Sequence, residues 1–404
     1  MRYILQRMKR FCGFATGIVF FLGGILKLMD PVGAGLVMKE YFAFMHLGFM
    51  DPAAKHIAEA FSLFETVLGI ALITGVWRKI TAFAALVLQG FFTLLTLALV
   101  IFNPEMDCGC FGEAIHLTHL QTFLKNIILC TLLCIYYFPK NKLGRTRKKK
   151  YLSFSIVTAA VLIFAAYSWR YIPMVDFTDF KPATRLHAGG ISGASGEDLY
   201  EAVFIYEKDG VQQQFSLDDL PDSTWTFVST ETILKDDTEH SEANLSIYDA
   251  DGNYHDEIAA DGKVMIVSVY DIDMPRGRWN RTAAFLQRAE EAGFKPLLLV
   301  ASTPEEMQKK FYILQEETVE NLAPYLYFSD YKTLITMNRS NSGVTYFSGG
   351  FLIRKWSRAA RPDMEELVAI YNGDDTETVI WHDTKGSLGL QGFLLVVFAI
   401  MFLL

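Results

Sequence analysis

Residues 79–102 read KITAFAALVLQGFFTLLTLALVIF, and the only charged residue of this stretch is its first. As a helix, the stretch would be roughly 36 Å long, enough to cross the hydrocarbon core of a bilayer, which is about 30 Å thick. Comparable apolar stretches recur towards both ends of the chain. The sequence therefore predicts an integral membrane protein with six spans, at Phe11–Met29, Ile57–Val76, Lys79–Phe102, His119–Phe138, Tyr151–Tyr171 and Ser387–Leu404.

The composition divides the chain into two parts of opposite charge. Apolar residues make up 51% of the 404 residues. Residues 1–172 contain 18 basic and 8 acidic residues, a net charge of +10, whereas residues 173–385 contain 19 basic and 37 acidic residues, a net charge of −18. These parts are a basic membrane region and an acidic soluble region. The acidic surface argues against nucleic acid as a partner.

The basic residues between the spans predict the topology. The N-terminal tail, the turn at residues 77–79 and the cluster at residues 140–150 lie on one side of the membrane when successive spans alternate in direction. The positive-inside rule makes that side cytoplasmic. We therefore predict an inner-membrane protein with both termini in the cytoplasm and residues 173–385 in the periplasm. A cleaved signal peptide is the alternative for the first span, but no small-residue cleavage site follows it.

A short polar loop between the third and fourth spans contains Asp107-Cys108-Gly109-Cys110-Phe111-Gly112. On the predicted side of the membrane a disulfide is permitted, and a bridge across so short a ring would be strained and easily reduced. One interpretation is a redox-active pair. The alternatives are a static staple, two free thiols that shape a turn, or a zinc site completed by His116 or His119. The other three cysteines, Cys12, Cys130 and Cys134, are interpreted as small buried apolar residues.

Three ionisable residues fall at similar depth within the predicted spans. Lys27, Glu65 and Lys125 all lie in the outer leaflet beneath the cysteine loop. Charges within a span are costly, so they indicate function or a structural ion pair. A Lys–Glu–Lys cluster would allow the charges to pair and would favour the thiolate form of a nearby cysteine. Both interpretations stay open.

The soluble region shows the pattern of an α/β domain. An alternating segment around an Asp-Gly pair predicts a hairpin from residues 201 to 215, and Lys263–Tyr270 predicts a buried strand. After that strand the order is helix, strand, helix, hairpin and helix, which predicts a mixed sheet covered by helices. Residues 249–253 faintly resemble a calcium-binding loop, but the glutamate that would complete it is absent.

Four separated motifs occur in order along the first four spans: Gly23-Gly24-Ile-Leu-Lys27-Leu-Met-Asp30-Pro31-Val-Gly33, Glu65 with Leu68-Gly69, Cys108-Gly-Cys110-Phe-Gly112, and Lys125-Asn126. With these motifs, about residues 11–138 resemble the MauE branch of the DoxX-like membrane proteins. The resemblance implies a four-helix bundle and a role in handling disulfides during methylamine dehydrogenase maturation.

Residues 255–371 resemble a thioredoxin-like domain of the kind tethered to membranes in the periplasm. The resemblance rests on the order of elements, and it fails where the chemistry would be. After the strand ending at Tyr270, Asp271-Ile-Asp-Met-Pro-Arg276 replaces the expected Cys-x-x-Cys, and no cysteine follows Cys134. This domain cannot exchange thiols by itself. Its fusion to a MauE-like bundle is similar to a family of Bacteroides-type envelope proteins.

The predicted fold class is an α-helical membrane bundle with an α/β thioredoxin-like soluble domain. We predict a protein that handles disulfides or electrons at the periplasmic face, with Cys108 and Cys110 as the exchanging pair, supported by Lys27, Glu65 and Lys125. The alternative is a non-catalytic scaffold or maturation factor for an envelope complex. A quinone is considered as the electron carrier, although no quinone motif is present; the expected partners are the lipid bilayer and a periplasmic client. The predicted domains are a tail (1–10), the bundle (11–138), a basic linker (139–150), a fifth span (151–172), a β-rich segment (173–254), the thioredoxin-like domain (255–385) and a sixth span (387–404).

Overall fold

The computed structural model describes residues 2–104, 106, 108–138, 146–186, 200–208, 211–215, 225–234 and 242–403. The chain forms two compact units. The first comprises Met1–Lys181, Ile335–Thr345 and Arg354–Leu404, and the second comprises Pro182–Leu334 and Tyr346–Ile353.

The helices of the described chain are α1 (Arg2–Met29), α2 (Pro31–Phe44), α3 (Ala54–Thr74), α4 (Arg78–Phe102), α5 (His119–Tyr137), α6 (Lys148–Arg170), α7 (Glu257–Ala260), α8 (Arg276–Glu291), α9 (Pro304–Phe311), α10 (Glu316–Glu320), α11 (Tyr331–Met337), α12 (Met364–Asn372) and α13 (Asp375–Leu403). The strands are β1 (Cys110–Glu113), β2 (Arg185–Leu186), β3 (Tyr200–Lys208), β4 (Val211–Phe215), β5 (Thr226–Leu234), β6 (Glu242–Ala243), β7 (Lys263–Val269), β8 (Lys295–Val300), β9 (Leu326–Phe328), β10 (Gly343–Ser348) and β11 (Phe351–Trp356). Short 3-10 helices cover Gly48–Ala53 and Ala323–Tyr325.

Six helical segments of the described chain are long and apolar enough to cross a membrane. All six predicted spans are confirmed as such segments, and the second begins earlier than predicted because a 3-10 turn precedes α3. Their bounds are Gln6–Met29, Gly48–Thr74, Arg78–Phe102, His119–Tyr137, Lys148–Arg170 and Thr384–Leu403.

Helices α1 and α3 pack closely through glycines. A Cβ atom added at Gly24 would overlap the hydroxyl of Thr66, and a Cβ atom at Gly69 would lie 2.8 Å from the carbonyl oxygen of Gly17. Small residues allow such close approach, and close packing is a main source of helix association in lipid. Buried apolar clusters around Phe20 and Phe21 fill the rest of this bundle.

No element was predicted between the first two spans, at residues 30–56, but helix α2 (Pro31–Phe44) forms there. The Asp30 carboxylate accepts a hydrogen bond of 2.9 Å from the Gly33 amide, and Pro31 occupies the first helical turn. An aspartate cap followed by proline is a standard helix start, so the signal was present in the sequence. At 14 residues, α2 is too short to cross a bilayer, so the length and apolarity that predict a span do not predict this helix.

The α/β part of the chain contains a seven-stranded mixed sheet in the order β6-β2-β11-β10-β7-β8-β9. Strands β7, β8 and β9 are parallel, whereas β2 and β11 are antiparallel. From Val264 to Val269 every residue of β7 is buried, as expected for a central strand covered on both faces. Helix α8 follows β7, and α9 begins at the predicted Thr303 cap. The α/β class of the soluble region is therefore confirmed.

Two details of the second unit differ from the sequence analysis or add to it. Strand β9 was not predicted, because three residues are too few to show an alternating pattern. The predicted hairpin is present as antiparallel β3 and β4, within a separate three-stranded sheet in the order β4-β3-β5. The Asp-Gly turn predicted for it, at residues 209–210, lies outside the described residues.

Residues 249–253 form a self-contained turn. The Asp249 carboxylate accepts hydrogen bonds from the backbone amides of Asp251 and Asn253, each at 2.9 Å, and from the His255 ring at 3.0 Å. The hydrogen bonds from Asn253 and His255 hold the pKa of Asp249 well below its usual value. Local turn chemistry therefore accounts for the resemblance to a calcium loop.

Candidate functional site

Two glycines with left-handed backbone shape the cysteine loop. Gly109 has φ +57° and Gly112 has φ +61°, a region that L side chains rarely adopt. A Cβ atom at Gly109 would also overlap Val37 of α2. Gly109 therefore allows α2 to pack directly against the loop between the two cysteines.

Cys108 lies against the ring of His119. Its Sγ is 3.0 Å from His119 Nδ1, and His119 Nε2 is 3.0 Å from the carbonyl oxygen of Pro104. A carbonyl oxygen only accepts, so Nε2 carries the proton and Nδ1 is the atom that accepts from the thiol. A thiol beside a base whose orientation is fixed by a third group is the arrangement of an activated cysteine.

The start of helix α5 adds to this effect. His119 is the first residue of α5, and a capping box formed by Thr118 and Gln121 closes the helix end. The first turn of a helix presents backbone N–H groups and the positive end of the helix dipole. Such a position favours a negative charge that lies close to it.

Helix α2 covers the backbone of the same loop. The Tyr41 hydroxyl donates a hydrogen bond of 2.7 Å to the carbonyl oxygen of Cys108. Burial raises the pKa of Tyr41 well above its usual value, with smaller contributions from Cys110 and Cys108. The hydroxyl therefore stays protonated and remains a donor, which holds Cys108 in place.

The two loop cysteines differ in exposure. Both are thiols in this structure. Cys108 is 4% exposed, whereas Cys110 is half-buried at the start of β1. A protein partner would therefore reach Cys110 before Cys108.

The structure brings together two of the three charged residues predicted to support the cysteines. Lys27 Nζ forms an ion pair with Glu65 Oε2, and both side chains are nearly buried. Lys125 lies instead over the ring of Phe111, 4.7 Å from its centroid. Within the described residues, no carboxylate lies within ion-pair distance of Lys125. The cluster is therefore one ion pair and one separate cation.

A cavity of about 400 Å³ connects these groups. Its wall contains both loop cysteines and the ionisable residues, while most of the remaining lining is apolar. Phe61 and Phe91 also line it and are 39% and 47% exposed, so the cavity reaches the lipid-facing surface of the bundle. The polar residues in the wall include Lys27, Glu65, Cys108, Cys110, Lys125 and Asn126.

Two buried amides line the cavity: Asn126, which belongs to the Lys125-Asn126 motif, and Gln89, which the sequence patterns did not single out. Gln89 Nε2 donates to the carbonyl oxygen of Asn126 at 3.2 Å, and Asn126 Nδ2 donates to Thr96 Oγ1 at 3.2 Å. These bonds join α4 to α5. Interhelical hydrogen bonds of this kind contribute about 1 kcal/mol in a membrane and fix the relative rotation of the helices.

Arg339 fixes the end of the site at the cysteine loop, and it also was not predicted. Its Nε donates to Asp30 at 2.9 Å and its Nη2 donates to Glu113 at 2.9 Å, with the side chain almost completely buried. Arg339 belongs to the first unit. It therefore joins the cap of α2 to the end of β1, which begins at Cys110.

The remaining cysteines lie away from this site. Cys12 is buried as predicted, Cys130 is half-buried, and Cys134 is exposed on α5, so the prediction of burial was wrong for Cys134. Among the residues that the structure describes, no group of three His, Cys, Asp or Glu side chains could hold a metal. His116 is exposed, and His119 is the histidine that contacts Cys108.

The membrane part of the chain is similar to a known protein family. Residues 5–139 match the model of the family described as methylamine utilisation protein MauE. The bundle is MauE-like. Residues 200–236 match a second family model, described as a domain of unknown function, DUF8463. No curated protein and no solved structure matches the chain.

The residues that carry the MauE resemblance converge in space. Lys27, Glu65, Cys108, Cys110 and the Lys125-Asn126 pair come from four separate parts of the sequence, and all of them line the one cavity. Asp30, from the same motif as Lys27, holds Arg339 at its edge. The motifs of the MauE-like bundle thus describe a site in addition to a fold.

Proposed function

We propose that this protein is a membrane thiol–disulfide oxidoreductase whose exchanging pair is Cys108 and Cys110. The observation that carries the proposal is the 3.0 Å contact between Cys108 Sγ and His119 Nδ1, with a second thiol two residues further on. A structural cysteine has no need of an oriented base. An exchanging cysteine does, because the thiolate is the reactive form.

The unequal exposure of the two thiols assigns their roles. Starting from the Cys108–Cys110 disulfide, a client thiolate attacks Cys110 and releases Cys108 as a thiolate beside His119. A second client thiolate then attacks the mixed disulfide, so that the client leaves with a disulfide and Cys110 becomes a thiol. Two electrons and two protons have passed from the client to the pair. Gly109 supplies the backbone freedom that ring closure needs.

The pair must then be reoxidised, and the cavity supports an apolar acceptor of the quinone class. A quinone takes up two electrons and two protons as the dithiol becomes a disulfide, so the step balances. The cavity volume of about 400 Å³ lies in the usual range for small-molecule sites. The exposed Phe61 and Phe91 give access from the bilayer, and the Lys125 ammonium group provides a donor for a quinone oxygen.

We infer that the site faces the periplasm, across the inner membrane from the basic segments. The basic cluster at residues 140–150 supports this orientation through the positive-inside rule. In this arrangement the acidic α/β region lies on the same side as the cysteine loop and serves to recognise the client. It contains no cysteine of its own, so recognition is the task left to it.

A second candidate function is that of a non-catalytic scaffold for an envelope complex. The burial of Cys108 and the ion pairs of Arg339 favour it, because they would equally stabilise a rigid loop. The two functions differ in whether Cys110 forms covalent intermediates. The description of the MauE family names methylamine utilisation as its role.

The test is to trap the client. In cells that express Cys108→Ser, Cys110 keeps its thiol and attacks the disulfide of an oxidised client, which is the reverse of the last exchange step. The resulting mixed disulfide persists because Cys108 is absent and cannot resolve it. We expect high-mass adducts on non-reducing gels that disappear with dithiothreitol. Cys134→Ser, which changes an exposed cysteine on the same bundle, is the matched control and should yield none. If Cys108→Ser and Cys134→Ser give identical patterns, the scaffold function stands.

A further inference from the structure

The cavity of about 400 Å³ beside the cysteine loop carries a positive charge that no described carboxylate neutralises. Its described lining contains three charged side chains, those of Lys27, Glu65 and Lys125. Lys27 and Glu65 form an ion pair with each other. The Lys125 Nζ atom lies 4.7 Å from the centroid of the Phe111 ring, and no described carboxylate is within ion-pair distance of it. Two lysines and one glutamate give the described wall a net charge of +1.

The position of Lys125 makes this charge costly. Lys125 is the seventh residue of α5, about 9 Å along the helix from His119. Helix α5 is one of the segments that are apolar enough to cross a membrane. Ionisable side chains within such segments pair with one another or line the path of a ligand. Because Lys125 pairs with no described carboxylate, we expect its counter-charge to come from a ligand in the cavity.

Aromatic side chains make up a large part of the cavity wall. Phe91, Phe92 and Phe111 line it, and the Lys27 ammonium group lies 5.9 Å from the centroid of the Phe92 ring. Planar rings pack on such side chains in offset or edge-to-face geometry, which a flexible acyl chain cannot do. A small hydrated anion would lose its water against the apolar lining without gaining these contacts. The wall therefore suits a planar apolar ring that carries one negative charge.

We propose that Lys125 makes this cavity selective for the anionic form of a quinone, the quinol monoanion that arises during reduction. This inference rests on the proposed thiol chemistry for its source of electrons. As the Cys108 thiolate and the Cys110 thiol form their disulfide, two electrons and one proton pass to the quinone and leave it as the monoanion. The proton that His119 took from Cys108 then completes the quinol, so atoms and charges balance.

The role of Lys125 in this step is electrostatic. A neutral quinone oxygen accepts an ordinary hydrogen bond from the ammonium group, whereas the oxygen of the monoanion accepts a charge-assisted bond that is about twice as strong. A fixed cation at the place where negative charge develops lowers the barrier more than it stabilises the bound substrate. Phe111 directly follows Cys110, so its contact with Lys125 places the cation next to the exchanging pair.

Selectivity is tested with two naphthoquinones of nearly equal size. One carries two methyl groups on the quinone ring and is neutral, and the other carries one methyl and one hydroxyl group and is an anion at neutral pH. The protein is the full chain with Cys108→Ser and Cys110→Ser, in a mild non-ionic detergent, so that no thiol reacts with either quinone. Titration calorimetry should show that the hydroxy quinone binds about tenfold more tightly than the dimethyl quinone.

Variants of Lys125 connect this preference to the cation. Lys125→Met should abolish the preference, and Lys125→Arg should keep it because the charge remains. Lys79→Gln removes an exposed cation outside the cavity lining and is the matched control. Equal affinities of the two quinones without a change at Lys125, or the same preference in Lys125→Met and in the control, would overturn the inference. Octanoate is an anion without a ring, and competition by it as strong as that by the hydroxy quinone would overturn the assignment to a quinone.

A second measurement separates this inference from the proposed function. With both cysteines present, the dimethyl quinone is used to oxidise the thiol pair. Lys125→Met should lower the maximal rate about tenfold and leave the apparent affinity for this neutral quinone nearly unchanged, because the negative charge develops only during the reaction. An unchanged maximal rate would overturn the role of Lys125. If the unsubstituted protein does not oxidise its thiols but the hydroxy quinone is still preferred, the proposed function fails and the anion site stands.

Discussion

The chemistry proposed for this protein depends on the two nitrogens of one imidazole ring. His119 faces a carbonyl oxygen through Nε2 and a thiol through Nδ1, so its tautomer is fixed by the backbone of Pro104. His119 can therefore act as a base for Cys108, and a backbone carbonyl takes the orienting role that a carboxylate has in many catalytic sites. The Lys27–Glu65 ion pair, by contrast, is satisfied internally and contributes to helix packing.

At the scale of this residue we predict that His119→Gln slows the alkylation of Cys108. Removing a positioned base lowers rates by on the order of 100-fold, because less thiolate is present at neutral pH. The measurement is the rate of iodoacetamide labelling at Cys108 in reduced protein, followed by peptide mass spectrometry. His116→Gln changes an exposed histidine of the same loop and should leave the rate unchanged. Equal labelling rates for the two variants would show that His119 does not act as the base for Cys108.

Some of these residues could be predicted from the sequence, and others could not. Lys27, Glu65 and Lys125 were found because a charge inside an apolar span is conspicuous. His119 was considered as a zinc ligand only, since nothing in the sequence shows the direction of a ring. Arg339 lies 226 positions along the chain from Glu113, so no local pattern could indicate their ion pair.

At the scale of elements, Arg339 joins helix α2 to strand β1 beside the cysteine loop. Arg339 pairs with Asp30, which also caps α2, and with Glu113, which ends β1. Removing one partner of a buried ion pair typically costs about 3–5 kcal/mol, because a charge is left without compensation. The loop should therefore loosen when this arginine is replaced.

We predict that Arg339→Gln increases the labelling rate of Cys110 and lowers the unfolding temperature. For Arg339→Lys, the labelling rate of Cys110 and the unfolding temperature should lie between those of Arg339→Gln and the wild type. Lysine keeps the charge but cannot bridge two carboxylates in the same geometry. Arg358→Gln, at an exposed position, is the control. Unchanged labelling of Cys110 in Arg339→Gln would show that the loop is held by other contacts.

The packing of α1 on α3 leads to a second prediction at this scale. Gly24→Val would place methyl groups where Thr66 already lies, and overpacking of this kind costs about 1–3 kcal/mol. Gly90→Val on α4 is the matched control, because no atom lies within 4 Å of a Cβ atom added there. In detergent, the unfolding temperature should be clearly lower for Gly24→Val and nearly unchanged for Gly90→Val. Equal losses would point to an effect of valine itself in a membrane helix.

Some helices and strands could be predicted from sequence patterns, and others could not. Spans are set by length and apolarity, and both can be read directly from the sequence. Helix α2 and strand β9 were not predicted, because the helix is shorter than a span and the strand is only three residues long. The α/β class followed from the order of elements, whereas the order β6-β2-β11-β10-β7-β8-β9 depends on pairings between distant segments.

At the scale of the whole molecule, the orientation of the spans determines which compartment the thiols face. We predict that the chain after residue 172 lies in the periplasm and that residues 140–150 lie in the cytoplasm. A reporter that is active only in the periplasm should be active when fused after Tyr171 and inactive when fused after Phe138. The positive-inside rule is the reason, given seven basic residues and no acidic ones from 139 to 150. The opposite pattern of activity would place the thiols in the reducing cytoplasm.

The measurement that tests the central claim most directly is the redox state of Cys108 and Cys110 in purified protein. The protein is reduced, freed of reductant, and incubated without oxygen with or without a short-chain quinone, and remaining thiols are then labelled and quantified by mass spectrometry. The account predicts that both cysteines lose their label together, that one quinol forms per pair, and that Cys134 stays labelled. His119→Gln should slow the change. If Cys108 and Cys110 keep their label and no quinol forms, the pair is not redox-active with such an acceptor, and the account is contradicted.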